Sequence, residues 1–279
     1  MSVPDNSSSP VKLKWWGMTH PGRFRKNNED SFLALTINAN EVNFLGKEGD
    51  ATLDRGDFAF AVSDGMGGAK SGEFASSIAV QKITELLPKS FKLAASGMDS
   101  GCKDVLEELF QRIHKEMTDM GFHYEECRGM GATLSLTWFM PERMYFCHIG
   151  DSRIYYLPQE GGIKQITHDH TDVAAQFRAG KLSEREARNH PRRNILQQVL
   201  GGRVGTISPQ VGAVAYQSGD RFIICSDGII DGVRDHRLES LTRDPVPRFK
   251  EMNPAHRLVQ DSMEESGRDN LTALVVEVG

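Results

Sequence analysis

The chain has 279 residues, enough for one substantial buried core. Its 38 Asp and Glu outnumber 33 scattered Lys and Arg for a net charge of −5, which removes the electrostatic case for nucleic acid as a partner. No run reaches the ~18 apolar residues of a membrane span, and the start lacks a basic-then-apolar export signal, so a cytoplasmic protein off the membrane is expected.

Residues 1–10, Met-Ser-Val-Pro-Asp-Asn-Ser-Ser-Ser-Pro, are polar and proline-flanked and read as a disordered tail ahead of a single domain, 11–279. A first strand begins at Val11, with Trp15 and Trp16 as packing residues. A turn at Gly22 to Arg25 leads through Asn28-Glu29-Asp30 into a second strand, and 38–56 reads as a surface hairpin or insertion. Phe58 to Val62 is an unbroken apolar run, a strand buried on both faces, which stops at Ser63-Asp64-Gly65 and a glycine-rich turn. Helical spacing follows from Gly72 to Leu87 (Phe74, Ile78, Ala79, Ile83, Leu86, Leu87), ended by Pro88. A second helix carries Leu106, Leu109, Phe110, Ile113, Met117 and Met120 on one stripe. From Met130 three strands read as an antiparallel meander with turns at Pro141-Glu142 and Gly150-Asp151. A charged helical segment from Gln165 to Asn194 resembles a flap, and strands near Val211 and at Phe222 lead to Ser226-Asp227-Gly228. A helix from Pro254 and a strand at Leu271 complete the chain. Cys102, Cys127, Cys147 and Cys225 are widely spaced and read as reduced core thiols.

An acid at the end of an apolar strand needs a reason, and here the pattern repeats. Asp64 and Asp227 each end such a strand, while Glu29-Asp30 and Asp269-Asn270 each precede one. If the four ends meet, they form a cage of oxygens, and clustered carboxylates leave water only at several kcal/mol per ion unless a cation neutralises them. Oxygen ligation without convergent Cys or His favours Mg2+ or Mn2+, with Ca2+ a third choice, and Asp64 and Asp227 would flank a metal pair. The turn Gly65-Met-Gly-Gly-Ala-Lys-Ser-Gly72 is not a nucleotide loop, because Ala69 stands where a P-loop needs glycine. Its glycines suit close backbone approach, and the Gly65 carbonyl could face a metal. His168 and His170 lack partners at ligand spacing.

At these residues the chain resembles the metal-dependent serine/threonine protein phosphatases of type 2C, in their bacterial form. The likeness covers Val11 to Gly279 and rests on Gly22-x-x-Arg25-x-x-Asn28-Glu29-Asp30, Val62-Ser-Asp64-Gly65-Met-Gly-Gly, Gly129-Met-Gly-Ala-Thr133, Gly150-Asp-Ser-Arg153, Ile166-Thr-His-Asp-His170, Ser226-Asp227-Gly228 and Asp269-Asn270. It implies an α+β fold, a four-layer α-β-β-α sandwich of two antiparallel sheets flanked by helices, with the metals in a cleft at one end. It also implies two or three divalent ions, Mn2+ or Mg2+, held by Glu29 or Asp30, Asp64, the Gly65 carbonyl, Asp227 and Asp269, with Glu126 near a third ion. Arg25 would bind the phosphate, and Arg25, Asp64 and Asp227 would serve a water that attacks phosphorus in line. Phosphorylated proteins, as products of a bacterial serine/threonine kinase, are the implied substrates of a monomeric signalling enzyme.

The sequence departs from the resemblance at Met66, where eukaryotic relatives carry a histidine proposed to protonate the leaving alcohol. Methionine cannot donate that proton, so the acid's identity is open: the alkoxide is expected to leave by metal stabilisation and water, unless His168 or His170 from the flap delivers the proton. The competing reading from another class is a phosphatase-like phosphoprotein-binding module that has lost catalysis. Intact Arg25, Asp64, Asp227 and Asp269 argue against it.

Overall fold

The structure, a computed structural model, describes residues 10–38, 41–67, 69–95, 101–244 and 246–279. The expected tail therefore lies, but for Pro10, outside the described residues.

Two antiparallel sheets stack face to face. One runs β10 (Lys164–Gln165), β9 (Arg153–Leu157), β13 (Arg221–Cys225), β14 (Leu271–Val278), β1 (Lys12–His20) and β4 (Glu48–Thr52). The other is built on β5 (Asp57–Met66), paired with β2 (Asp30–Ile37) on one side and β7 (Leu134–Met140) on the other. Beyond these lie β3 (Val42–Phe44) next to β2, and β8 (Arg143–Ile149) and β12 (Gln210–Ala215) next to β7. The two-residue strands β6 (Gly131–Ala132) and β11 (Leu200–Gly201) extend this sheet past the end of β5.

Side-chain alternation explains why β5 has no polar residue between Phe58 and Val62. Phe58, Phe60 and Val62 enter the core between the sheets, where Trp15, Phe139, Phe222, Leu274 and Val276 meet them. Ala59 and Ala61 face the other way, onto α1 (Ala69–Ala95) and α2 (Cys102–His123). An aromatic edge contact from Phe60 to Phe139 within one sheet, centroids 5.7 Å apart, continues across to the other sheet through Phe139 and Phe222, 5.2 Å apart. The other sheet's outer face is covered by α5 (Asp227–Gly232), α6 (Asp235–Arg243) and α7 (Pro254–Glu265). The α7 start is fixed by Asn253, whose side chain accepts from the His256 amide, with Pro254 in the first turn. The order of layers is helix, sheet, sheet, helix, as the resemblance implies.

Several expectations change. Helix α1 runs on to Ala95 through the position of Pro88, since proline's fixed φ is itself helical and its backbone forgoes one donor. Phe74, counted in its apolar stripe, is exposed. Within the expected hairpin or insertion at 38–56, β3 folds back on β2 as a short antiparallel hairpin while β4 pairs with β1, so the segment crosses from one sheet to the other. The turn at Gly150-Asp151 is no meander turn either, because β8 and β9 belong to different sheets. The flap resolves into α3 (Asp172–Arg178) and α4 (Glu184–Arg188), closed at its base by a bridge between Thr171 and Leu196. The four cysteines are free thiols, three of them buried.

Candidate metal centre and phosphate cleft

The antiparallel register of β2 and β5 sets Asp30 directly opposite Asp64. Ser226, which ends β13, donates its hydroxyl to Asp30 Oδ2 at 2.7 Å and also accepts the Thr272 amide of β14, so both sheets are pinned at the same end. Asp227 then opens α5 and Asp269 precedes β14. Between them lies a cleft of about 470 Å³ lined by Arg25, Glu29, Asp64, Gly65, Met66, Asp151, Asp227 and Asp269, with Lys26, Asn27, Gly67, Asn194 and Leu196 at its edges. Glu29, Asp64, Gly65, Asp227 and Asp269, named from the sequence as candidate ligands, are brought together. Asp30 lies buried behind them.

The chain holds these acids through its backbone. The Asp64 amide donates to Thr133 Oγ1 at 3.0 Å, the Thr133 amide donates to the Asp64 carbonyl at 2.8 Å, and Thr133 also meets Ser152 Oγ at 2.7 Å. A Cβ on Gly65 would overlap the Gly72 carbonyl, so only glycine lets the turn fold back this closely. Asn270 ties down the loop that carries Arg25 and Glu29. Its Nδ2 donates to the Pro21 and Asn27 carbonyls, both at 2.9 Å, and its Oδ1 accepts the Glu29 amide at 2.7 Å.

Electrostatically the cleft is overloaded. Burial, then the charges of Asp30, Asp227, Asp151 and Asp269, push the Asp64 carboxyl well above the usual range. Asp227 is raised likewise, by burial and then by Asp151, Asp269, Asp231 and Asp30. Burial lifts Asp30 to about 6 against the pull of its Ser226 hydrogen bond, and lifts Asp151 to about 7, with Asp169 adding and Arg153 opposing. Asp30 Oδ1 is buried with no hydrogen-bond partner, the kind of orphaned acceptor a cation or its hydration shell satisfies. Among the described residues, no three acidic, His or Cys side chains close on one point as an ion's ligands would, since Asp269 is turned to Arg25 and Asp30 to Ser226. The all-oxygen donor set with an orphaned oxygen fits a hard divalent ion.

Arg25 sits at the mouth, half exposed, with a nitrogen 2.7 Å from Asp269 Oδ2. Glu126 is not in the cleft lining. Its side chain is exposed on a single turn, Glu125–Cys127, whose tie to α1 is the Ser71 hydroxyl donating to the Glu126 carbonyl. Neither alternative acid reaches the cleft: His168 is exposed, and His170 accepts the Gly150 amide at Nδ1 and lies beside buried His148. Burial lowers His170 to about 4, so near neutrality it is an uncharged imidazole and no general acid.

Sequence reasoning missed Asp151 as a site residue. Gly150, at φ 108°, swings the chain from β8 across to β9, and that crossing aims Asp151 into the cleft. Arg153 then grips Asp169 through two hydrogen bonds of 2.8 and 2.6 Å, fixing the flap's base beside it. The signal was the Gly150-Asp-Ser-Arg153 motif, quoted for the resemblance and otherwise read as a turn.

Comparison with known proteins agrees with this geometry. Residues 49–273 match the family model described as "Protein phosphatase 2C". The serine/threonine protein phosphatase PstP of Mycobacterium tuberculosis is 30% identical over 270 residues; the match takes in 95% of this chain, which spans 45% of that protein's length. The serine/threonine phosphatase Stp of Listeria monocytogenes is 29% identical over 259 residues, 93% of each chain. Among solved structures, the catalytic domain of PstP in complex with two manganese ions superposes with a TM-score of 0.72 at 26% identity, covering 96% of this chain and 99% of that one. With the sandwich, the acidic cleft and the ordered motifs all in agreement, this chain belongs to the protein phosphatase 2C family.

Proposed function

We propose that the protein is a metal-dependent phosphatase that removes phosphate from phosphoserine and phosphothreonine in proteins. The observation that carries this reading is the meeting of Asp64, Asp151, Asp227 and Asp269 in one cleft, beneath a guanidinium at its mouth, with Asp30 Oδ1 buried and unpartnered behind. Mn2+ or Mg2+, when bound, supplies Lewis acidity that lowers the pKa of water and offsets phosphoryl charge. Asp64, Asp227 and Asp269 would hold such ions, with Asp151, Glu29 and the Gly65 carbonyl contributing directly or through water. Asp30 supports them from behind. Glu126, outside the lining, is a candidate only for an outlying third ion.

Arg25 would bind two phosphate oxygens with its planar fork, exchanging its contact with Asp269 for the substrate. Asp269 would then be free of that contact and could serve the ions alone. Asn270 keeps Arg25 and Glu29 in register during this exchange. Met66 lines the cleft and can give no proton to a departing alkoxide. The enzyme would act as a cytoplasmic monomer on the products of a serine/threonine kinase; among the described residues no helix is long and apolar enough to cross a membrane.

The test is release of phosphate from a phosphothreonine peptide after chelation and metal add-back. Activity that is lost on chelation and restored by Mn2+ or Mg2+ supports the reading, and full activity in verified metal-free protein sinks it.

A further inference from the structure

The cleft floor is acidic, but its two lips are not. One lip is Arg23-Phe24-Arg25-Lys26, all four exposed, with Arg25 and Lys26 lining the cleft. The other is the end of the flap, where Asn194 and Leu196 line the cleft directly after Arg192 and Arg193. From Arg178 to Arg203 the flap carries seven Lys and Arg against two Glu, in a chain whose net charge is −5, so positive charge is concentrated here.

Part of that charge is already committed. Arg193 pairs with Asp231 on α5 at 3.0 Å, Arg188 with Glu184 at 3.0 Å, and Arg25 with Asp269. Arg23, Lys26 and Arg192 make no ion pair with any acid among the described residues. They stand on both sides of a phosphate's route inward. Each lip adds an exposed apolar side chain, Phe24 at 72% and Ile195 at 45% exposure, which suits contact with an extended peptide.

We infer that the lips select phosphopeptides with acidic residues flanking the phosphorylated one, drawn by Arg23 and Lys26 on one side and Arg192 on the other. This rests on the phosphatase reading, and it concerns the peptide chain around the phosphate. Divalent ions, when bound, would offset much of the floor's charge, so an acidic flank would meet the lips' charge before the carboxylates below. Exposed opposite charges attract modestly at each contact and are screened by salt. Two or three such contacts acting together amount to about a tenfold preference at low ionic strength.

The measurement is fluorescence anisotropy with labelled peptides that carry a non-hydrolysable phosphonate in place of phosphothreonine, flanked by glutamate or by lysine, in Mn2+ buffer. Because it reads binding, it does not depend on turnover; hydrolysis of p-nitrophenyl phosphate, run in parallel, reports separately on the phosphatase reading. The glutamate-flanked peptide is expected to bind about tenfold tighter, with the difference shrinking at high salt. Arg192→Glu and Lys26→Glu, singly and together, are expected to erase or invert the preference. Equal binding of the two peptides, a lysine preference, or a glutamate preference untouched by both substitutions would overturn the inference. So would displacement of the peptide by an equimolar single-stranded oligonucleotide, which would make the lips a nucleic-acid surface.

Discussion

Replacing Asn270 with alanine tests whether the loop holding Arg25 and Glu29 is positioned by one buried amide. The side chain is 4% exposed and makes three hydrogen bonds, to Pro21, Asn27 and Glu29, at 2.9, 2.9 and 2.7 Å. Each contributes about 1 kcal/mol net, so their joint loss costs about 3 kcal/mol. At roughly 2–4 °C per kcal/mol for a domain of this size, thermal unfolding in chelator should move down by about 6–12 °C. A freed loop also loses its hold on substrate, so KM for p-nitrophenyl phosphate should rise by a larger factor than kcat falls. Asn270→Asp separates the two kinds of bond. It keeps an acceptor for the Glu29 amide but turns an oxygen toward the Pro21 and Asn27 carbonyls and adds charge beside Asp269, so it should be at least as damaging. An Asn270→Ala protein that unfolds within about 2 °C of the parent with an unchanged KM would refute this account of the loop.

Asp227→Asn should abolish turnover and the Mn2+-induced rise in unfolding temperature, while leaving the ion-free protein at least as stable, because the acid it removes is raised by burial and by neighbouring carboxylates; turnover near the parent rate would remove Asp227 from the ligand set. Glu126→Ala, altering a side chain outside the cleft lining, should change turnover and metal dependence less than Asp227→Asn, and the reverse order would make Glu126 an essential ligand. With no divalent ion, Asp30 titrates at about 6 and Asp151 at about 7, above the ~3.9 of an unfolded aspartate, so from about pH 4 to 7 the folded chain holds the more protons and its stability falls as pH rises. Mn2+ competes with those protons, so its stabilisation, followed by calorimetry, should be greater at pH 8 than at pH 5.5, and a gain independent of pH would count against these carboxylates as ligands. Rates on aryl phosphates of graded phenol acidity, with chemistry rate-limiting, should depend steeply on leaving-group pKa, because Met66 gives no proton and neither His168 nor His170 reaches the cleft; a flat dependence would reveal an acid supplied elsewhere.

What the sequence revealed was whatever local pattern dictates. The apolar run into Asp64 is legible because a strand buried on both faces admits no polar residue before its end, and Asp227 is legible for the same reason. The helix from Pro254 was readable from proline at its start and the spacing of its apolar face. Asp151 was obscured because a turn between two strands looks the same whether they pair with each other or join different sheets, and only β9's distant partner β13 decides which. The segment from Val42 to Thr52 was hidden in part the same way: β3 folds back on β2 next to it in sequence, but β4 takes its place from the distant β1. Helices α5 and α6 follow the Asp227 turn too closely, at 6 and 9 residues, to show a periodic stripe.

Strand β14 is the last element of the chain, yet it lies in the middle of its sheet, hydrogen-bonded to β13 on one side and to β1 on the other. Until Leu271–Val278 has left the ribosome, that sheet exists only as two separate pieces, and neither Asp269 nor the Asn270 clasp is in reach of the residues it serves. A nascent chain can complete the opposite sheet and its two helices early, while its first strand waits for a partner about 250 residues away, a late, non-local closure of the slow kind. The cleft is thus finished only once residues 269–278 have been made, and a chain cut short before residue 271 would present β1 and β13 as open edges for other proteins to pair with.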